Sequence, residues 1–277
     1  MTAMPALTER FAFEGRSIAW GAAGSGPPLV LVHGTPFSSA VWRRIAPWFT
    51  THRRVHVFDL AGYGASEKGE GQDVSIAAQG RLVAALVAHW QLEAPDVVAH
   101  DFGGAASLRA HLLHGVQFRS LTLIDAVALS PWGSPFVAHV RDHAAAFAGL
   151  PAAIHDGVLG AYLAGAAHRP LSPDALALYT APWTGPTGQA AFYRQIAQMD
   201  ASHTAAFEPL LDRIRCPATV VWGAEDGWLP VAQGRTLARR LGARHFVAVP
   251  EAGHLVQDDV PEALVAVLGD VLFGRAG

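Results

Sequence analysis

The stretch "VVAHDFGGA", residues 97–105, decides how the chain is read. An apolar run, Val97-Val98-Ala99, breaks at His100-Asp101, and Gly103 and Gly104 follow. That pattern predicts a buried strand, a sharp turn and the start of a helix. Asp101 then has two readings. It caps the helix, as aspartate often does, or it presents a carboxylate at a strand end, where open α/β sheets place their ligands.

Working outward, further apolar runs repeat the theme: "PLVLVHG" (28–34), "VHVFDL" (55–60), "DVVAH" (96–100), "LTLID" (121–125), "TVVWG" (219–223) and "HFVAV" (245–249). They are rich in Val, Ile and Leu without polar alternation, as expected of strands covered on both faces. Amphipathic stretches such as "SIAAQGRLVAALVAHW" and "VAQGRTLARRLG" lie between them. Alternating strands and helices imply an α/β fold with a mostly parallel sheet and helices on both faces. "RFAFEG" and "SIAWGAA" predict an antiparallel hairpin leading in. Between about residues 130 and 212 the strand rhythm stops and an Ala-rich helical segment takes its place. The chain therefore divides into a core, residues 1–129 and 213–277, and a helical cap, residues 130–212, expected to lie as a lid over the strand ends.

Bulk properties narrow the function classes. The 277 residues are 51% hydrophobic and 16% charged, with a net charge of -3. That suits one large globular unit and gives no basic footprint for nucleic acid. The single cysteine, Cys216, excludes an intrachain disulfide and reads as a buried thiol. The N-terminus lacks a basic segment followed by an apolar one, and no run is apolar enough for a membrane span, so a soluble cytoplasmic protein is expected. The 14 histidines show no HExxH or paired-ligand spacing, so neither metal nor cofactor is expected.

Polar residues recur where the predicted strands end: "HGTP" from His33, Asp101, Asp226 in "GAEDGWLP", and His254 in "EAGHLVQDD". In this order they resemble the α/β-hydrolase superfamily. "AHDFG" matches its nucleophile elbow, with Ala99 and Gly103 as the small residues that permit the tight turn. "HGTP" matches its oxyanion loop, and "DLAGYGASE" the segment after the next strand. The matches run from about residue 28 to 262, omitting the cap.

Aspartate stands where esterases and lipases carry serine; Ser107 lies inside the following helix, away from the turn. The resemblance thus implies the aspartate-nucleophile branch, epoxide hydrolases and hydrolytic dehalogenases. There Asp101 would form an alkyl-enzyme ester and His254 would activate water to cleave it. Asp226 would orient His254, with Asp125 as the alternative triad acid and Glu225 a nearer competitor. The backbone N–H groups of Thr35 and Phe102 would form the oxyanion hole. His33 and Asp59 read as loop-organising residues and His100 as packing beneath the elbow.

Haloalkane dehalogenases usually have tryptophan after the nucleophile and often asparagine after His-Gly; here stand Phe102 and Thr35. Fluoroacetate dehalogenases commonly place arginine beside the nucleophile, and Phe102 and Ala105 replace it. Epoxide hydrolases use phenols from the cap. Tyr193 in "AAFYRQIAQMD" resembles their second tyrosine, and Tyr162, with Tyr179 in reserve, is the candidate for the first. Trp132, Phe136 and Trp183 are candidates to line an apolar pocket. The sequence therefore favours epoxide opening to a diol on a small apolar organic substrate with water as co-substrate. Carbon–halogen hydrolysis is the alternative, and a non-catalytic ligand-binding protein the reading from another class.

Overall fold

The computed structural model describes residues 3–274. Eight strands form one sheet: β1 (Glu9–Phe13), β2 (Arg16–Ala23), β3 (Pro28–Val32), β4 (Arg54–Phe58), β5 (Asp96–His100), β6 (Ser120–Ile124), β7 (Ala218–Gly223) and β8 (His245–Val249). Their spatial order is β1-β2-β4-β3-β5-β6-β7-β8. β1, β2 and β4 pair antiparallel, and the remaining neighbours pair parallel. The expected runs coincide with strands to within two residues, and the leading hairpin is present.

Sheet order explains where a site can form. Between β3 and β5 the chain changes the direction in which it adds strands, which opens a crevice at their carboxyl ends. Leu29 to Val32 of β3 and Val97 to His100 of β5 are buried, so both strands are locked on both faces. β5 is fixed at its start as well. Asp96 is buried and accepts from Arg53 (2.7 Å), Arg119 (3.0 Å) and the Ser120 hydroxyl (2.6 Å). Removing one partner of such a buried network costs far more than an exposed ion pair would.

Helices Ile76–His89 and Phe102–His114 pack together beside the sheet. "AVWRRIAPWF" forms a 3-10 turn, Ser39–Arg44, then one short helix, Ala46–Phe49, rather than a continuous helix. The break falls at Ile45, just before Pro47, which has no backbone N–H to continue a helix from the Ser38-capped turn. Between β6 and β7 the described chain holds helices without a strand, among them Pro135–Asp142, Ala152–Ala164, Pro173–Thr180 and Gly185–Ala197. Among the described residues no helix is long and apolar enough to cross a membrane.

Candidate active site

Asp101 follows the last residue of β5 and precedes helix Phe102–His114. Its backbone has φ 50° and ψ -119°, a left-handed conformation that costs a non-glycine residue of order 1–3 kcal/mol. Asp101 occupies the N-cap position, yet its side chain makes no capping bond to its own helix. Instead Oδ1 accepts the Thr35 backbone N–H at 2.7 Å. The cap reading of "VVAHDFGGA" therefore fails on geometry: the turn aims the carboxylate out of the helix and toward β3. Two glycines permit this approach. A Cβ on Gly34 would lie 2.4 Å from Asp101 Cβ, and one on Gly103 would lie 2.4 Å from the His33 carbonyl oxygen.

His254 and Asp226 complete a line. His254 Nδ1 lies 2.9 Å from Asp226 Oδ2, and Nε2 lies 3.4 Å from Asp101 Oδ2. Asp226 Oδ1 accepts the backbone N–H groups of Trp228 (2.8 Å) and Leu229 (2.9 Å), which fixes the acid independently of histidine. Burial alone would depress His254, but the Asp226 charge, the nearby Asp101 carboxylate and the hydrogen bond with Asp226 hold its pKa well above the usual value. Burial pushes Asp226 up, and the His254 charge and hydrogen bond bring it below the usual carboxylate range. Glu225 is exposed and takes no part in this line.

Asp125, the alternative acid, is completely buried beside the pair. Its Oδ1 accepts the Gly223 N–H at 2.8 Å, and Oδ2 has no hydrogen-bond partner. His254 Nδ1 is bonded to Asp226, and no such bond to Asp125 is present. Asp125, Asp226 and His254 bring ligand atoms within 4.8 Å of one another, close enough to hold an ion, although two of the three are already bonded together.

Burial depresses the His33 pKa, and the ring is a neutral strut: Nδ1 donates to the Gly34 carbonyl (3.0 Å) and Nε2 accepts from Leu60 N–H (2.9 Å). Asp59 accepts Ser39 N–H at 2.7 Å and Ala65 N–H at 2.6 Å, organising the neighbouring loop. His100 lies under His254, donating Nε2–H to the His254 carbonyl at 2.9 Å. Burial, then the His254 charge, lowers its pKa to about 3, so it too is neutral.

A cavity of about 40 Å³ lies over this line, well below the roughly 300 Å³ at which drug-sized ligand sites begin. Thr35, Asp101, Phe102, Trp132, Tyr162 and His254 face it together with Trp228. Tyr162 stacks on Trp228, ring centroids 4.7 Å apart, and burial, then the Asp101 charge, raises its pKa so that it stays a proton-bearing phenol. Trp132 meets Phe102 edge-on and donates its indole N–H to Thr204 (2.8 Å).

Tyr193 is not brought to this cavity. Its hydroxyl lies 3.0 Å from His155 Nδ1, while His155 Nε2 lies 3.0 Å from the Trp183 carbonyl. A carbonyl can only accept, so Nε2 carries the proton and the Tyr193 hydroxyl donates to Nδ1. Tyr179 is committed elsewhere, to Arg43 and Asp258. Phe136 packs behind Tyr162, and Trp183 is fully buried with its indole N–H on the Pro36 carbonyl (2.6 Å). Neither is among the residues that line the cavity.

Several site residues escaped the sequence. Trp228 sits two residues past Asp226 in "EDGWLP", a turn that needs its N–H, and Met199 lies one turn beyond Gln195. Gln195 Oε1 accepts the hydroxyls of Thr35 (2.7 Å) and Tyr63 (3.0 Å), which ties the Thr35 loop to helix Gly185–Ala197.

With this geometry in place, the chain belongs to the alpha/beta hydrolase fold family, whose model matches residues 27–261. It is 28% identical over 272 residues to a fluoroacetate dehalogenase from Burkholderia sp, covering 90% of this chain and 88% of that protein. It is 29% identical over 268 residues to the dihydrolipoyllysine-residue acetyltransferase component of the acetoin cleaving system of Pseudomonas putida, covering 90% of this chain but only 64% of that protein. The crystal structure of an alpha/beta hydrolase fold protein from Burkholderia ambifaria superposes with a TM-score of 0.94 at 51% identity, covering 98% of this chain and all of that one.

Proposed function

We propose that the protein is a hydrolase in which Asp101 attacks saturated carbon and opens an epoxide to a diol through an alkyl-enzyme ester. One observation carries this reading: the Asp101 carboxylate faces a mostly apolar cavity, bonded to Thr35 N–H and 3.4 Å from His254 Nε2, with the Tyr162 phenol in the same wall. The helical segment between β6 and β7 serves as the lid that supplies Tyr162.

The steps balance as follows. An Asp101 oxygen bonds to the epoxide carbon as the ring C–O bond breaks, and Tyr162 gives its proton to the leaving oxygen. Esterification removes the Asp101 charge, one of the interactions that raise the His254 pKa. His254 thereby loses its proton, which restores Tyr162, and becomes a base. It then takes a proton from water as the hydroxide adds to the ester carbonyl. Oδ1, already on Thr35 N–H, becomes the oxyanion, with Phe102 N–H as second donor. Collapse breaks the acyl C–O bond, the second water proton leaves on the diol, and Asp101 keeps the water oxygen.

Carbon–halogen hydrolysis is the second reading, favoured by the single phenol in the cavity, because a departing halide needs no proton. The cavity's lining residues include neither Lys nor Arg, which favours an uncharged substrate over a haloacid.

Single turnover in ¹⁸O-water with enzyme in excess tests the shared covalent step. The label is expected on the Asp101 peptide and absent from the first product; direct solvent label in that product overturns the reading. Diol formation from aryl and alkyl epoxides, set against halide release from haloalkanes, separates the two substrates. Tight ligand binding without turnover in either panel returns the non-catalytic reading.

A further inference from the structure

Three ionisable side chains, Asp125, Asp226 and His254, are buried together with only His254 reaching the cavity, and the proposed reaction uses only two of them. Asp125 is 0% exposed, its backbone held in a left-handed conformation (φ 42°) and its N–H bonded to the Val221 carbonyl at 3.1 Å. One of its oxygens has the Gly223 N–H and the other has nothing. An ionised, unpartnered oxygen in such a place carries a large desolvation penalty. The acceptor beside it is Asp226, whose own oxygens already hold His254 Nδ1 and the N–H groups of Trp228 and Leu229. A carboxylate offers about four acceptor sites, so one remains.

We propose that Asp125 is carried as the neutral acid and donates its proton to Asp226, setting how strongly Asp226 holds the proton of His254. One proton satisfies both the orphaned oxygen of Asp125 and the vacant acceptor site of Asp226. Ligand atoms of Asp125, Asp226 and His254 lie within 4.8 Å of one another, and burial and then the Asp226 charge raise the Asp125 pKa well above the usual carboxylate range. The charged or titratable groups facing His254 are then Asp226, Asp101 and His100, the last neutral; Asp125 adds no charge. Without this donor Asp226 would be a stronger base and His254 would hold its proton too tightly to activate water. Asp125 is thus a positioning residue acting through Asp226. This rests on the proposed role of His254 as base for ester hydrolysis, while the protonation state of Asp125 stands apart from it.

The test uses two variants and one measurement that needs no substrate. Asp125→Asn keeps a neutral donor and an acceptor for Gly223; Asp125→Ala removes both. In the pH profile of the hydrolytic half-reaction, the acid limb of Asp125→Asn should stay where the wild type has it, whatever the absolute rate. That of Asp125→Ala should move up by about one unit, the lower end of what one lost hydrogen bond to a charged group is worth. A downward shift in both variants means Asp125 is an anion in the native protein and overturns the proposal; no shift in either overturns the coupling. Difference infrared spectra of wild type minus Asp125→Asn should show a protonated-carboxyl C=O band at neutral pH. A carboxylate band in its place overturns the neutral acid, even if neither epoxides nor haloalkanes turn over.

Discussion

The Tyr193 hydroxyl donates to His155 Nδ1 over 3.0 Å, within a fully packed part of the helical segment, and so is turned away from Asp101. The phenol that shares a cavity with Asp101 is Tyr162, two helices earlier in the chain. The proposed chemistry therefore rests on one proton donor from the lid, and the two tyrosines should respond to mutation in opposite ways.

Tyr162→Phe removes the proton donor and keeps the stack on Trp228. The expected result is a fall of about 10²-fold in kcat/KM for epoxides, the lower range for a lost general acid, with haloalkane turnover little changed. Tyr193→Phe leaves the buried His155 Nδ1 without a partner and should cost roughly 1–3 kcal/mol of stability, with little effect on rate. Steady-state kinetics and urea midpoints on both variants check this pair. A larger rate loss in Tyr193→Phe would place the wrong phenol at the site.

Much of the arrangement was legible because local pattern carries it. The turn after Ala99, the glycines around it, and the strand ends holding Thr35, Asp226 and His254 follow from short apolar runs and small residues at fixed offsets. The tyrosines were not legible. Which face of helix Gly185–Ala197 looks into the cavity depends on how it packs against helices Pro135–Asp142 and Ala152–Ala164. A tyrosine-arginine context in sequence says nothing about a histidine 38 positions earlier that claims the hydroxyl. Asp125 shows the same limit: its spacing from Asp101 suits a triad acid, but Gly223 and Asp226 decide what it bonds to.

Gly34 and Gly103 should separate positioning from folding. Alanine at 34 would put a methyl 2.4 Å from both Cβ and Oδ1 of Asp101, so the carboxylate must move off Thr35 N–H and the turn that carries it must shift. A shift of about 1 Å is expected to cost on the order of 10²-fold in rate, with a smaller loss of stability than at position 103, because the Gly34 clash is with the Asp101 side chain rather than with backbone. Alanine at 103 would meet backbone oxygens of His33 (2.4 Å) and Val32 (2.5 Å), which cannot swing aside. That variant should lose about 1–3 kcal/mol in chemical denaturation along with activity. If Gly34→Ala keeps full activity, the contact between the Thr35 loop and Asp101 is not what orders the carboxylate.

Acid stability should depend on buried histidines outside the proposed catalytic steps, His56 and His100 with large shifts and His33 in the same direction. Burial, and for His56 the nearby Arg54 charge, lower the pKa of His56 to about 4; burial and the His254 charge lower His100 to about 3. The unfolded chain, with histidines near 6.5, therefore takes up these protons first as pH falls. Stability from the neutral rings is whole above about pH 6.5 and drains as pH falls toward each folded value, at up to roughly 1.4 kcal/mol per pH unit for each ring. His254 behaves oppositely: with a raised folded pKa its contribution is whole below pH 6.5 and is lost only as pH rises through that higher value. Urea midpoints measured between pH 7 and pH 4.5 should decline steeply in the wild type. The decline should be shallower in His56→Gln and His100→Gln, and shallowest in the double variant. A double variant whose acid slope matches the wild type would show that other groups govern acid unfolding.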